Sequence, residues 1–182
     1  MLCALLLLLS GQRVQTVHLI RMSGISFKDD ACIIRVTDRL KHFSERKNVQ
    51  TITFPTFKEN DNLCVVNCLQ EYVKRTKDRR KDDFLFLCYK KPFGQALKAT
   101  LCRWLKCVMS KAGIDIEQFS AHSFRSASTS AASKLDVPLD TILQTAGWSN
   151  AETFRKFYNR PVKEAASSQF ANSILNYFVS SK

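Results

Sequence analysis

The run Ala121-His122-Ser123-Phe124-Arg125 sets an imidazole and a guanidinium three residues apart, and Gly147-Trp148 and Phe157-Tyr158 follow downstream. These side chains suit attack of a phenolic oxygen on a phosphodiester. A guanidinium holds phosphate oxygens through two parallel hydrogen bonds. An imidazole holds or moves a proton near neutral pH. A tyrosine can be a covalent nucleophile, but a phenol with an ordinary pKa of about 10 needs a proton acceptor or a strongly positive site beside it. Trp148 offers an N–H that only donates. Arg13 adds a second guanidinium just after the Ser10-Gly11 turn. A cation at a helix start opposes the helix dipole, so an anionic partner would account for it.

The overall charge points the same way. Twenty-eight Lys and Arg against sixteen Asp and Glu give the 182-residue chain a formal net charge of +12. Such a surface attracts polyanions, and nucleic acid is the first candidate. The length suits one domain with a real core. The seven cysteines do not point to a metal: Cys64 and Cys68 are four apart, Cys102 and Cys107 five apart, and His18, His42 and His122 complete no zinc pattern with them. No metal and no cofactor are expected. The thiols lie in apolar segments and read as buried free cysteines in a reducing compartment. The initial Met1–Ser10 leucine run lacks a preceding Lys or Arg and is too short for a membrane span, so it reads as a buried helix and not as a signal peptide.

The elements that must position these residues follow from pattern and punctuation. A first helix over 2–10 is broken at Ser10-Gly11, and a second runs from about Arg13 to Arg21. The β-branched stretches Cys32–Thr37 and Val49–Phe54 predict two strands joined by a long charged connection, Asp38 to Asn48. Helical spacing of Leu63, Val66, Leu69 and Val73 predicts a helix over 63–74, and the charge run Lys74–Asp83 reads as a solvated loop. Phe84–Leu87 is a short buried extended segment. A helix over 95–112 should bury Leu97, Leu101, Trp104, Leu105 and Val108 and stop at Gly113. Ser120 is the expected N-cap of a small-residue helix over 121–134. Pro138 opens another over 139–146, which Gly147 stops. A further helix leads to Tyr158, and an amphipathic one over 164–178 carries Phe170, Ile174, Leu175 and Phe178. The fold class is α+β, mostly α-helical, with a small antiparallel sheet at one edge.

With Gly11-Gln12-Arg13, Leu40-Lys41-His42, His122-Ser-Phe-Arg125, Ala146-Gly147-Trp148 and Phe157-Tyr158-Asn159 in this order, nearly the whole chain resembles the catalytic domain of the tyrosine recombinase (phage integrase) family, most closely the recombinases of eukaryotic mobile elements. The resemblance implies that residues 1–182 form one catalytic domain cut short at its N-terminus, without the core-binding domain that family members carry ahead of it. It implies double-stranded DNA as partner, a homotetramer on two duplexes, no membrane, and an intracellular setting, nuclear if the source is eukaryotic. It further implies DNA strand cleavage and rejoining, as in recombination or integration, through a 3′-phosphotyrosyl intermediate.

By that resemblance the site residues are Arg13, Lys41, His122, Arg125, Trp148 and Tyr158. Arg13 and Arg125 grip the scissile phosphate. Lys41 protonates the leaving 5′ oxygen, with Lys47 as the alternate acid. His122 assists proton transfer, Trp148 donates to the phosphate or supports the tyrosine by packing, and Tyr158 is the nucleophile. Many family members carry an acidic residue three positions after the first arginine, where this chain has Thr16. Two alternatives stay open: a non-enzymatic DNA-binding remnant of a mobile element, and a type IB topoisomerase.

Overall fold

The computed structural model describes residues 1–37, 49–148, 151, 152 and 154. At its centre is α1 (Leu2–Ser10), whose residues Leu2 to Leu7 are all buried. A helix that is apolar on every side belongs inside, and α1 is enclosed by α2 (Val14–His18), α3 (Val65–Thr76), α4 (Lys98–Lys111) and α5 (Ser123–Lys134). Only Leu8 and Leu9 near its end are exposed. The expectation of a buried first helix is met.

Helix α5 can approach α1 closely because its side chains are short: Ser126, Ala127, Ser128, Thr129 and Ser130 follow one another. The Ser128 hydroxyl donates to the Leu8 carbonyl at 2.5 Å. The Thr129 methyl lies where a Cβ added to Gly11 would meet it at 3.0 Å. Gly11 also ends α1 with φ +60°, so both its backbone and its lack of a side chain are used.

The sheet has three antiparallel strands in the order β1 (Ile25–Phe27), β2 (Ala31–Val36), β3 (Gln50–Pro55). Ile34 pairs with Ile52 and Cys32 with Phe54, and these four side chains face the core. The two predicted strands are present. Strand β1 was not expected, since three residues are too few to show a period. It depends on Gly24, where a Cβ would stand 2.3 Å from the Arg35 carbonyl oxygen. The connection 38–48 lies outside the described residues, as does the chain from 155 onward, including the predicted terminal helix.

Several boundaries move. Helix α3 begins at Val65, leaving Leu63 exposed ahead of it, and α4 begins at Lys98, so Leu97 is 65% exposed where the spacing placed it inside. The charge run is not all solvated loop. Helix α3 continues to Thr76, a 3-10 turn follows over Lys77–Arg79, and Arg80 turns inward. Its guanidinium donates to the Phe84 and Leu85 carbonyls and to the Thr76 hydroxyl, fixing the buried Leu85–Leu87 segment. The cysteines divide likewise. Burial pushes the Cys3 thiol up to about 12 and the Cys32 thiol to about 11, while Cys107 is exposed and not buried as expected. Among the described residues no helix is long and apolar enough to cross a membrane.

Candidate active site

Arg125 anchors the site. It lies in the first turn of α5 and is 1% exposed. A buried cation near the N-terminus of its own helix is opposed by that helix's dipole. Two other helix ends compensate. Its Nη1 donates to the Gly11 carbonyl, where α1 closes, and to the Ala146 carbonyl, the last residue of α6 (Leu139–Ala146), both at 2.7 Å. Carbonyl ends of helices carry partial negative charge, so α1 and α6 together favour a guanidinium where they meet.

The α6 terminus also places Trp148. Gly147 takes φ +69°, its N–H donates to the Gln144 carbonyl at 3.2 Å, and the Trp148 N–H donates to the Leu143 carbonyl at 2.8 Å. This is the Schellman arrangement, and it turns the chain back over α5. The indole ring then lies under the Arg125 guanidinium, with Cζ 3.9 Å from its centroid. Phe154 packs against that indole at 5.4 Å between ring centroids, with the planes tilted by 52°.

Arg13 enters from the joint between α1 and α2. It is the N-cap of α2, with extended backbone and a half-buried side chain. The preceding Gln12 is 3% exposed, and its amide donates to the Thr145 carbonyl at 2.5 Å. Gln50, the first residue of β3, also reaches this corner: its Oε1 lies 3.1 Å from where a Cβ on Gly147 would be. Thr16, three positions after Arg13, is buried on α2.

His122 caps α5 and does not lie within it: the helix begins at Ser123, and the Ser120 hydroxyl accepts from the His122 N–H. Ser120, the expected N-cap, thus organises the turn before the helix, two residues ahead of the observed N-cap His122. Partial desolvation of the ring, then the charges of Arg125 and Arg13, lower the His122 pKa below its ordinary 6.5. The residue remains exposed overall, so solvent reaches an imidazole that feels both guanidiniums. At neutral pH it is therefore uncharged and able to accept a proton.

The structure thus brings Arg13, His122, Arg125 and Trp148 to one corner, formed by the ends of α1 and α6 and the starts of α2 and α5. Lys41, its alternate Lys47 and Tyr158 lie outside the described residues. Nothing in the sequence singled out Gln50, nor Gln12 beyond its place in Gly11-Gln12-Arg13. A glutamine between a turn glycine and an arginine carries no local signal, and only its burial reveals it.

A model of the phage integrase family matches residues 1–164. The chain belongs to the phage integrase family. The helix and sheet arrangement is that of the tyrosine recombinase catalytic domain. It is similar to XerH site-specific recombinase in a pre-cleavage complex with its difH substrate, with a TM-score of 0.70 and 16% identity over 92% of this chain and 44% of that one. It is also similar to XerA recombinase, with a TM-score of 0.66 and 19% identity over 92% and 54%. A third likeness is to the Tn1549 transposon integrase in complex with transposon right end DNA, with a TM-score of 0.63 and 14% identity over 93% and 57%. The chain thus spans about half the length of these structures. A comparison with curated proteins gives no match.

Proposed function

We propose that this member of the phage integrase family breaks and rejoins DNA strands with Tyr158 as nucleophile, in site-specific recombination or integration. The observation that carries the reading is the meeting of Arg13, His122 and Arg125, from distant parts of the chain, in a protein of net charge +12. A phosphoryl-transfer transition state carries negative charge on its non-bridging oxygens, and two guanidiniums held in fixed positions match it.

The Tyr158 phenolic oxygen attacks phosphorus in line, and the bond from phosphorus to the 5′ oxygen breaks. A 3′-phosphotyrosyl link forms. The phenol proton passes toward neutral His122, and the leaving 5′ oxygen takes a proton from Lys41, or from Lys47 as alternate. A 5′ hydroxyl of another strand reverses these steps. The phosphodiester energy is kept in the phosphotyrosyl bond, so the exchange needs no nucleotide hydrolysis. Arg13 and Arg125 hold the non-bridging oxygens, and Trp148 backs Arg125. Exchange between two duplexes calls for a tetramer.

The test is trapping on a nicked duplex that cannot religate, read as a covalent protein–DNA band on a denaturing gel. The band should vanish in Tyr158→Phe and fall sharply in Arg125→Ala. A band that persists in Tyr158→Phe would remove Tyr158 as nucleophile. Salt-sensitive duplex binding with no band at all would make the chain a DNA-binding member without strand transfer.

A further inference from the structure

Two short segments meet at the site, and two adjacent residues of each take part. From the α1–α2 joint come the Gly11 carbonyl and the Gln12 side chain. From the end of α6 come the Thr145 and Ala146 carbonyls. Arg125 Nη1 bridges Gly11 to Ala146, and Gln12 Nε2 bridges directly to Thr145. We propose that Gln12 is a positioning residue, which sets the Arg13 guanidinium relative to Arg125 by locking the α1–α2 joint onto the last turn of α6.

The physical argument is one of pivots. Packing on α5 fixes the end of α1, but the Nη1 bridge alone ties the joint to α6 only through a third residue, which leaves the orientation of one segment on the other weakly restrained. A direct tie one residue along restrains that orientation. Arg13 is the next residue and begins α2 from an extended backbone, so any rotation of the joint passes directly into its side chain. The same α6 turn continues into Gly147 and Trp148, whose ring backs Arg125. One amide therefore couples both guanidiniums and the indole.

The chemistry of the side chain fits the task. A buried amide must be paired, and Gln12 is 3% exposed. A backbone carbonyl only accepts, so the amide nitrogen is the end that must face Thr145. The backbone N–H of Gln12 is itself held by the Ser10 hydroxyl at 3.3 Å, and that hydroxyl donates to the Leu6 carbonyl at 2.5 Å. The residue is thus fixed at both ends. Methionine would fill the same volume without the donor.

The inference rests on the reading that Arg13 and Arg125 share one phosphate, and its test separates the two. The Nε–Hε resonances of both arginines, assigned with Arg13→Lys and Arg125→Lys, are followed while inorganic phosphate is titrated into the full chain. In the unaltered protein both should move with one midpoint. In Gln12→Met the native amide spectrum should persist, the two midpoints should separate, and the apparent affinity should fall about tenfold. In Gln12→His, which keeps an N–H donor of similar reach, a common midpoint should return. Gln12→Met titrating like the unaltered protein would overturn the proposal. A Gln12→Met chain that loses its native amide pattern would make Gln12 a folding residue and overturn it equally. If neither resonance moves in the unaltered protein, the shared-phosphate reading fails, and the Gln12 assignment with it.

Discussion

The Arg125 guanidinium donates to the Gly11 carbonyl at 2.7 Å across 114 residues of sequence. That bond puts the first helix end and the His-x-x-Arg segment in register, and the matching bond to Ala146 adds the end of α6. The guanidinium proposed to hold phosphate is therefore also the pin that closes the site. Arg13 has no such duty: it is half-buried at a helix start, where the dipole disfavours it.

The two arginines should consequently differ in stability while agreeing in activity. Arg125→Ala strips a donor from two carbonyls in the interior and should lower unfolding free energy by about 2–4 kcal/mol. Arg13→Ala should change it by no more than about 0.5 kcal/mol. Both should depress adduct formation on a nicked duplex. Urea denaturation of the two variants side by side decides it, and equal losses would contradict the pin.

Trp148 acts on Arg125 through its face. Trp148→Phe keeps a ring beneath the guanidinium and should cost about 1 kcal/mol, while Trp148→Ala loses the cation–π contact and the packing on Phe154 and should cost about 3 kcal/mol. If adduct formation follows stability through this pair, Trp148 supports the site by packing. A large loss in Trp148→Phe alone would assign the work to the indole N–H.

Acid should weaken the fold through its histidines. His122 is lowered by desolvation, Arg125 and Arg13, and His18 by desolvation and Lys98. A histidine whose folded pKa lies below its unfolded value binds fewer protons when folded. Between those two values stability rises with pH, so it is lost progressively as pH falls below 6.5 toward the lowered folded values. Urea midpoints from pH 7.5 to 5 should decline, and His18→Gln should flatten the slope. The acid limb of adduct formation should lie below 6.5. A limb above that value would contradict the lowered His122 pKa.

Gly24 is required by contact and not by φ. With a Cβ placed 2.3 Å from the Arg35 backbone carbonyl, Gly24→Ala must push β1 away from β2. The expected cost is above about 2 kcal/mol. Amide exchange should rise along Ile25–Phe27 while α1 and α5 stay protected. Unchanged exchange in that strand would show that the backbone accommodates the methyl.

Much of this was readable from residues alone wherever the signal was local. The leucine run of α1, the alternation in β2 and β3, and the glycine stops at Gly113 and Gly147 each express a preference of the chain's own backbone or of a helix or strand face. So do the motif residues Arg13, His122, Arg125 and Trp148, whose order matched a known family. What escaped was non-local. Strand β1 is too short to show a period, Leu97 keeps helical spacing yet lies just outside its helix, and Arg80 looked like one more charge in a solvated run until Phe84 and Leu85 offered it carbonyls.

The sequence by itself determined most of the elements, the family and the kinds of side chain at the site, because periodicity, turn chemistry and motif order are written along the chain. Only the tertiary structure decided that Arg125 is a buried pin, that His122 is neutral between two guanidiniums, and that Gln12 ties their supports together. Those properties arise from desolvation and from carbonyls contributed by helix ends 21 to 133 residues away, and no local pattern encodes which distant carbonyl a donor will meet.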